Sequence, residues 1–103
     1  MDLKQSLEVV SRTGRYIVGY RKSLEACLSK RATLLIVSER TAEAVKSAVK
    51  SAAAVAGARL MITPLSPSEI GVALRKNFPV ATLAIIDPGS ADLGQMEAEE
   101  QSE

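Results

Sequence analysis

Few residues here are equipped for acid–base, nucleophilic or metal chemistry. The chain has no histidine, which removes the side chain that titrates near neutral pH and the commonest metal ligand. Its single cysteine, Cys27, shares a helical apolar stripe with Leu24 and Leu28, a setting in which a free thiol fills a core. The carboxylates do not cluster at ligand-like spacing, Gly14 and Gly19 do not make a dinucleotide fingerprint, and there is no P-loop pattern. Residues able to grip a polyanion are better placed. Gly19-Tyr20-Arg21-Lys22 joins a β-rich run to a helical pattern. A helix N-terminus offers unpaired amides to a phosphate, glycine lets a ligand approach the backbone, and Arg21 and Lys22 add charge at that point. The same stretch also reads as plain turn geometry before a helix.

Two further loops are expected at the same edge of a sheet, Glu39-Arg40-Thr41 and Asn77-Phe78-Pro79-Val80. Phe78 is the only phenylalanine in the chain. In a loop it fits two readings, a platform for an unpaired base or a plug over the end of the sheet.

The elements that must position these residues follow from periodicity. Leu3, Leu7 and Val10 predict a helix over Asp2–Arg12, stopped by a left-handed Gly14. Tyr16-Ile17-Val18 predicts a short strand, and Leu24, Cys27 and Leu28 a helix from Tyr20 or Arg21 to Leu28. Thr33–Val37 is apolar without alternation, the mark of a strand covered on both faces. Thr41 is read as the cap of an alanine-rich helix through Ala56, with Val45, Ala48, Ala52 and Val55 facing inward and Gly57 as its stop. Arg59–Thr63 predicts another strand. Ser66-Pro67-Ser68-Glu69 combines a capping serine, proline at the first helical position and glutamate three residues after the cap. It predicts a helix over Pro67–Lys76 that buries Ile70, Ala73 and Leu74 and starts away from the candidate loops. Val80–Ile86 is the last predicted strand, and Asp87-Pro88-Gly89 a turn. Strict alternation of helix and strand predicts a three-layer α/β/α sandwich around a four-stranded mixed sheet.

Composition limits the partners. At 47% hydrophobic residues and 3% aromatic, the core must be built from aliphatic side chains. Residues 1–89 hold all 13 Lys and Arg against seven acids, a balance of +6. From Ser90 onward there are Asp92, Glu97, Glu99, Glu100 and Glu103 and no base. A basic domain over 1–89 with an acidic, disordered tail over 90–103 is the expected organisation. No apolar run approaches the roughly 20 residues of a membrane span. The lone cysteine and the acidic Met1-Asp2 start suit a cytoplasmic protein.

At this point three segments resemble a known family. Arg12-Thr13-Gly14-Arg15-Tyr16-Ile17-Val18-Gly19-Tyr20-Arg21-Lys22-Ser23-Leu24, Ser68-Glu69-Ile70-Gly71 and Thr82-Leu83-Ala84-Ile85-Ile86-Asp87-Pro88-Gly89-Ser90-Ala91-Asp92 look like the archaeal and eukaryotic large-subunit ribosomal L-thirty-e family. The resemblance spans residues 3–93 in one register. That family belongs to a superfamily of small α/β/α proteins that recognise kink-turn RNA. The resemblance implies that Gly19, Tyr20 and Arg21 lie against an RNA backbone. It implies that Phe78, Pro79 and Val80 pack on a splayed base, and that Lys46, beside Val45, is the family's basic residue early in the third helix. Arg40 stands where many relatives have a base-reading Asn, Ser51 and Ala52 replace a pair of tyrosines, and Arg75 replaces a glycine. Kink-turn specialists have Gly-Ala/Thr-Asn-Glu where this chain has Gly19-Tyr20-Arg21-Lys22, which favours the ribosomal branch.

The expected function is that of a non-enzymatic constituent of the large ribosomal subunit, with rRNA and neighbouring ribosomal proteins as partners. No cofactor, metal, membrane or small-molecule substrate is expected. The alternative is a stand-alone kink-turn RNA-binding protein of a modification or regulatory particle.

Overall fold

The computed structural model describes residues 2–91. In chain order its elements are α1 (Leu3–Thr13), β1 (Arg15–Val18), α2 (Tyr20–Leu28), β2 (Leu34–Ser38), α3 (Glu43–Ala56), β3 (Arg59–Thr63), α4 (Pro67–Ala73) and β4 (Thr82–Asp87). The strands form one sheet in the order β1-β4-β2-β3. β4 is antiparallel to both β1 and β2, and β2 is parallel to β3. The predicted three-layer α/β/α sandwich with a four-stranded mixed sheet is the fold observed.

All five residues of β2 are buried, as an unalternating apolar run requires of a strand covered twice. Leu34 and Ile36 join Leu83 and Ile85 of β4 in a core closed by Leu7 and Val10 of α1 and Ile70 and Ala73 of α4. On the other face Leu35 and Ala84 meet Ala26 and Cys27 of α2 and Val49, Ala52 and Ala53 of α3. The second layer is thus built from small side chains, and burial pushes the Cys27 thiol pKa up. A buried thiol without a base beside it stays protonated and inert.

Several local expectations are corrected. The inward stripe of α3 includes Val49 and Ala53, whereas Val55 is 80% exposed. Alanine at most positions gives the helix little contrast, and the valines alone misplace the stripe. Leu28 is likewise exposed, with Ser23 and Ala26 buried beside Cys27. The N-cap of α3 is Ala42, which makes no side-chain cap bond, not Thr41. Gly14 is extended (φ −111°, ψ −169°) rather than left-handed; a Cβ there would run into the Asp87 carbonyl oxygen where β4 ends. The last strand starts at Thr82, not Val80, because the Val80 N–H donates to the Pro67 carbonyl at 3.0 Å and keeps this residue on α4.

Helix α4 stops at Ala73, short of the expected Lys76. The Lys76 N–H donates to Gly71 O at 2.9 Å and the Arg75 N–H to Val72 O at 3.0 Å, the closure that requires a left-handed residue. That residue is Arg75, at φ +62°. Glycine carries no steric penalty there, so Arg75→Gly should stabilise the fold by up to about 1 kcal/mol. A chemical-denaturation midpoint that falls instead would assign the guanidinium a packing role.

The four helix starts fall into two pairs. In α1, Asp2 and Gln5 form a complete capping box, and in α4 Ser66 and Glu69 do the same. Neither Gly19 before α2 nor Ala42 before α3 makes a side-chain cap bond. The Ser66 N–H donates to Glu69 Oε1 at 2.8 Å. This bond, with Lys4 Nζ at 3.2 Å from Glu69 Oε2, holds the Glu69 carboxyl pKa below its ordinary value. A lowered folded-state pKa stabilises above the usual carboxylate range, and that contribution is lost as pH falls through the lowered value. Ser66→Ala should cost about 0.5–2 kcal/mol at neutral pH. Glu69→Gln should lose less stability than the parent between neutral pH and the acid limb, as read by urea melts at each pH.

Candidate nucleic-acid interface

Strand directions gather the candidate loops. Val18 is opposite Leu83, Val37 is opposite Thr82, and Ser38 is beside Thr63. The exits of β1, β2 and β3 and the entry of β4 therefore share one edge. Gly19-Tyr20, Glu39-Arg40-Thr41 and the segment before Thr82 all emerge there, as the sequence predicts. The start of α4 lies on this edge too, contrary to expectation. The parallel pairing of β2 with β3 puts both following loops together, and Ser38 Oγ donates to Leu65 O at 2.8 Å while accepting the Arg40 N–H at 3.2 Å.

A cleft of about 300 Å³ opens at this edge, lined by Val18, Gly19, Tyr20, Thr41, Val45 and the run Phe78–Thr82. Five of the sequence-derived site residues, Gly19, Tyr20, Phe78, Pro79 and Val80, thus share one concavity. Gly19 turns the chain from β1 into α2 at φ +103°, ψ 148°, a conformation open almost only to glycine. Its N–H donates to Thr82 O at 2.9 Å, which ties the turn to β4. Phe78 is 48% exposed, too open for a plug. Its carbonyl rests where a Cβ on Gly71 would stand, so the absence of a side chain on α4 seats the Phe78-Pro79 backbone. Val80 is 3% exposed and belongs to the core beneath α1 and α4; it anchors the loop and offers no free side-chain surface.

The basic residues behave differently from one another. Arg21, Lys22 and Arg40 are exposed, and no hydrogen bond or ion pair holds their side chains among the described residues. Lys22 lines a separate groove with Ile17, Val18, Glu25 and Arg31. Lys46 is engaged: its Nζ donates to Glu39 O at 3.0 Å and pairs with Glu43 Oε1 at 2.9 Å. That hydrogen bond to Lys46 lowers the Glu43 carboxyl pKa. Lys46 therefore braces the loop that carries Arg40 and is not brought into the cleft.

Sequence reasoning missed Val18, Val45, Ala81 and Thr82 as cleft residues. All four sit in apolar or strand-like runs that read as core, and only their place at an element's end marks them. The hydroxyls of Thr41 and Thr82 are buried without a hydrogen-bond partner among the described residues. Leaving a buried hydroxyl unpaired costs on the order of 1–3 kcal/mol. Also among the described residues, no group of His, Cys, Asp and Glu could hold a metal ion, and no helix is long and apolar enough to cross a membrane.

The family model described as the ribosomal protein L7Ae/L30e/S12e/Gadd45 family matches residues 1–94. The chain belongs to this family. Among its relatives, the large ribosomal subunit protein eL30 of Branchiostoma belcheri is 31% identical over 103 residues, covering 99% of this chain and 90% of the relative. The eL30 proteins of Pyrobaculum neutrophilum and Pyrobaculum islandicum are 27% and 28% identical over 93 residues, 90% of this chain and 92% of each relative. A solved structure of a protein of unknown function from Bacillus halodurans C superposes with a TM-score of 0.75 at 16% identity, covering both chains fully. That likeness shows the fold alone.

Proposed function

We propose that this chain is a structural constituent of the large ribosomal subunit, binding rRNA through the sheet edge that carries the cleft. The observation that carries this reading is the meeting of Gly19, Tyr20 and Phe78-Pro79 in one largely apolar cleft. Beside it, α2 and α3 begin without side-chain caps. An unpaired base, splayed from a kink-turn-like or internal-loop element, fits between the Tyr20 and Phe78 walls. Single-stranded and bulged bases are what such aromatic sites recognise in RNA. The unpaired hydroxyls of Thr41 and Thr82 are polar points that the base's edge can satisfy once the lining parts. The first-turn amides of α2 and α3, with Arg21, Lys22 and Arg40, meet the flanking phosphates and fix register. Lys46 acts indirectly, by holding the Arg40 loop. Family membership and the eL30 names of its relatives support a ribosomal, non-enzymatic and cytoplasmic role. Neighbouring ribosomal proteins complete the proposed set of partners.

The reading is tested by titrating the full chain with a large-subunit rRNA fragment containing an internal loop and with an uninterrupted duplex of equal length, at several salt concentrations. Tighter binding to the internal loop is expected. Arg21→Ala should flatten the slope of log K against log salt by up to about one unit. Equal affinity for the two RNAs, with an unchanged slope in the variant, would exclude this edge as the interface.

A further inference from the structure

Phe78 and Pro79 border two concavities. On one side lies the cleft they share with Gly19 and Tyr20. On the other, over the outer face of α4, is a groove of about 310 Å³ lined by Ser68, Val72, Lys76, Asn77, Phe78 and Pro79. The two residues thus form a ridge between the cleft and the groove, and the ridge is pinned at both ends. The Phe78 carbonyl is seated against Gly71, and the Val80 N–H donates to Pro67 O at 3.0 Å. A fixed partition with open space on each side has room for one unpaired base per side.

The chemistry of the groove suits a nucleotide. Its lining holds one cation, Lys76, and no acid. Lys76 Nζ stands 5.5 Å from the centroid of the Tyr16 ring, which steadies the ammonium without neutralising it. Val72 is 73% exposed, so apolar surface lies uncovered beside the aromatic ridge. The Asn77 carboxamide and the Ser68 hydroxyl have no hydrogen-bond partner among the described residues. Past Ser68 and Val72 the surface changes sign. The next groove, between α1 and α4, carries Lys4, Glu8 and Glu69. There Glu69 holds Lys4 at 3.2 Å, and Glu8 has no ionic partner among the described residues. A polyanion that crosses the ridge is therefore accepted at Lys76 and repelled one step further on.

We propose that this groove binds a second unpaired nucleotide of the same RNA, adjacent in the strand to the one in the cleft. Its base covers Val72 and the ridge, Lys76 meets its phosphate, and Asn77 reads its edge. A carboxamide presents a donor and an acceptor side by side, which matches N7 and the N6 amino group of adenine. The second position therefore prefers adenine. The interface selects two adjacent splayed nucleotides where the cleft alone would select one. This inference rests on the RNA-binding reading above and extends it to a face of α4 which that reading does not use.

Three RNAs built on one stem test it with the full chain. They are an uninterrupted duplex, the stem with an internal loop that splays one nucleotide, and that loop with an adenine added beside the splayed nucleotide. The one-nucleotide loop should bind tighter than the duplex. The added adenine should strengthen binding about tenfold more, as one further stacked base does. Uracil in its place should forfeit most of that gain. Asn77→Ala should abolish the difference between adenine and uracil and leave affinity for the one-nucleotide loop unchanged. Lys76→Gln should flatten the slope of log K against log salt by up to about one unit, for the two-nucleotide loop only. Location is read separately. Cys27 is fully buried, so Val72→Cys supplies a single accessible thiol. Its alkylation should slow severalfold under saturating two-nucleotide RNA and not under the one-nucleotide RNA. No gain from the added nucleotide, or an adenine preference that survives Asn77→Ala, would overturn the subsite while the one-nucleotide preference keeps the RNA-binding reading intact. Equal binding of all three RNAs would defeat that reading and the subsite with it. Protection of the introduced thiol in whole large subunits but not by the RNA would give the groove to a neighbouring ribosomal protein and also overturn the proposal.

Discussion

Phe78→Ala lowers affinity for the internal-loop RNA by about 1–3 kcal/mol, the loss typical of a base-stacking aromatic, and leaves the salt slope nearly unchanged. The ring is 48% exposed and carries no charge, so truncation removes stacking area without touching counterion release. Stability discriminates the two roles a lone loop phenylalanine can have. A buried phenylalanine costs about 3–5 kcal/mol on truncation; this one should cost well under half of that in a urea melt. A variant that melts far below the parent while binding RNA as well would make Phe78 a structural plug after all.

Gly71→Ala should act on fold and binding together. A Cβ at Gly71 collides with the Phe78 carbonyl oxygen and crowds the Pro79 Cα, and both contacts are backbone, which cannot swing aside as a side chain does. Helix propensity alone would reward the change by up to about 1 kcal/mol, so the sign of the result is informative. Overpacking of a tight site typically costs about 1–3 kcal/mol, and here that cost outweighs the propensity gain. The strain is relieved by lifting the Phe78-Pro79 backbone off α4, which widens the cleft and misplaces the ring. The expected result is a lower denaturation midpoint together with weaker RNA binding. A midpoint that rises, with unchanged affinity, would mean that the loop does not depend on Gly71 for its seat.

These two residues also show what the sequence can and cannot disclose. The Ser68-Glu69-Ile70-Gly71 segment is legible as the start of a capped helix, since capping is local chemistry between residues three apart. That Gly71 is a seat for a loop seven residues on is tertiary information, invisible to periodicity. β2 was readable because an unbroken apolar run has only one environment that suits it. The inward face of α3 was not, because alanine is tolerated on both sides of a helix. Arg21 and Arg40 are found by charge and by position at element ends, and both are exposed. Lys46 carries the same charge, yet its partners are Glu39 O and Glu43. Composition counts a cation without showing what already occupies it. Thr41 is not the cap for a related reason: its hydroxyl is enclosed in the cleft lining, and Ala42 takes the N-cap position before Glu43.

The unequal capping of the helices has a kinetic consequence. An amide exchanges its hydrogen with water at a rate set by how often its bond opens, and first-turn amides with no acceptor need no opening event. Asp2 and Ser66 side chains shield one such amide each, at Gln5 and Glu69, whereas Tyr20-Arg21-Lys22 and Glu43-Ala44 begin their helices without that cover, the Val45 N–H already donating to Ala42 O at 3.1 Å. In deuterated solvent the free protein should therefore carry its fastest helical exchange on one layer, at two adjacent helix starts. Bound phosphates would supply the missing acceptors, so slowing of those few amides maps occupancy of the edge without any substitution in the chain.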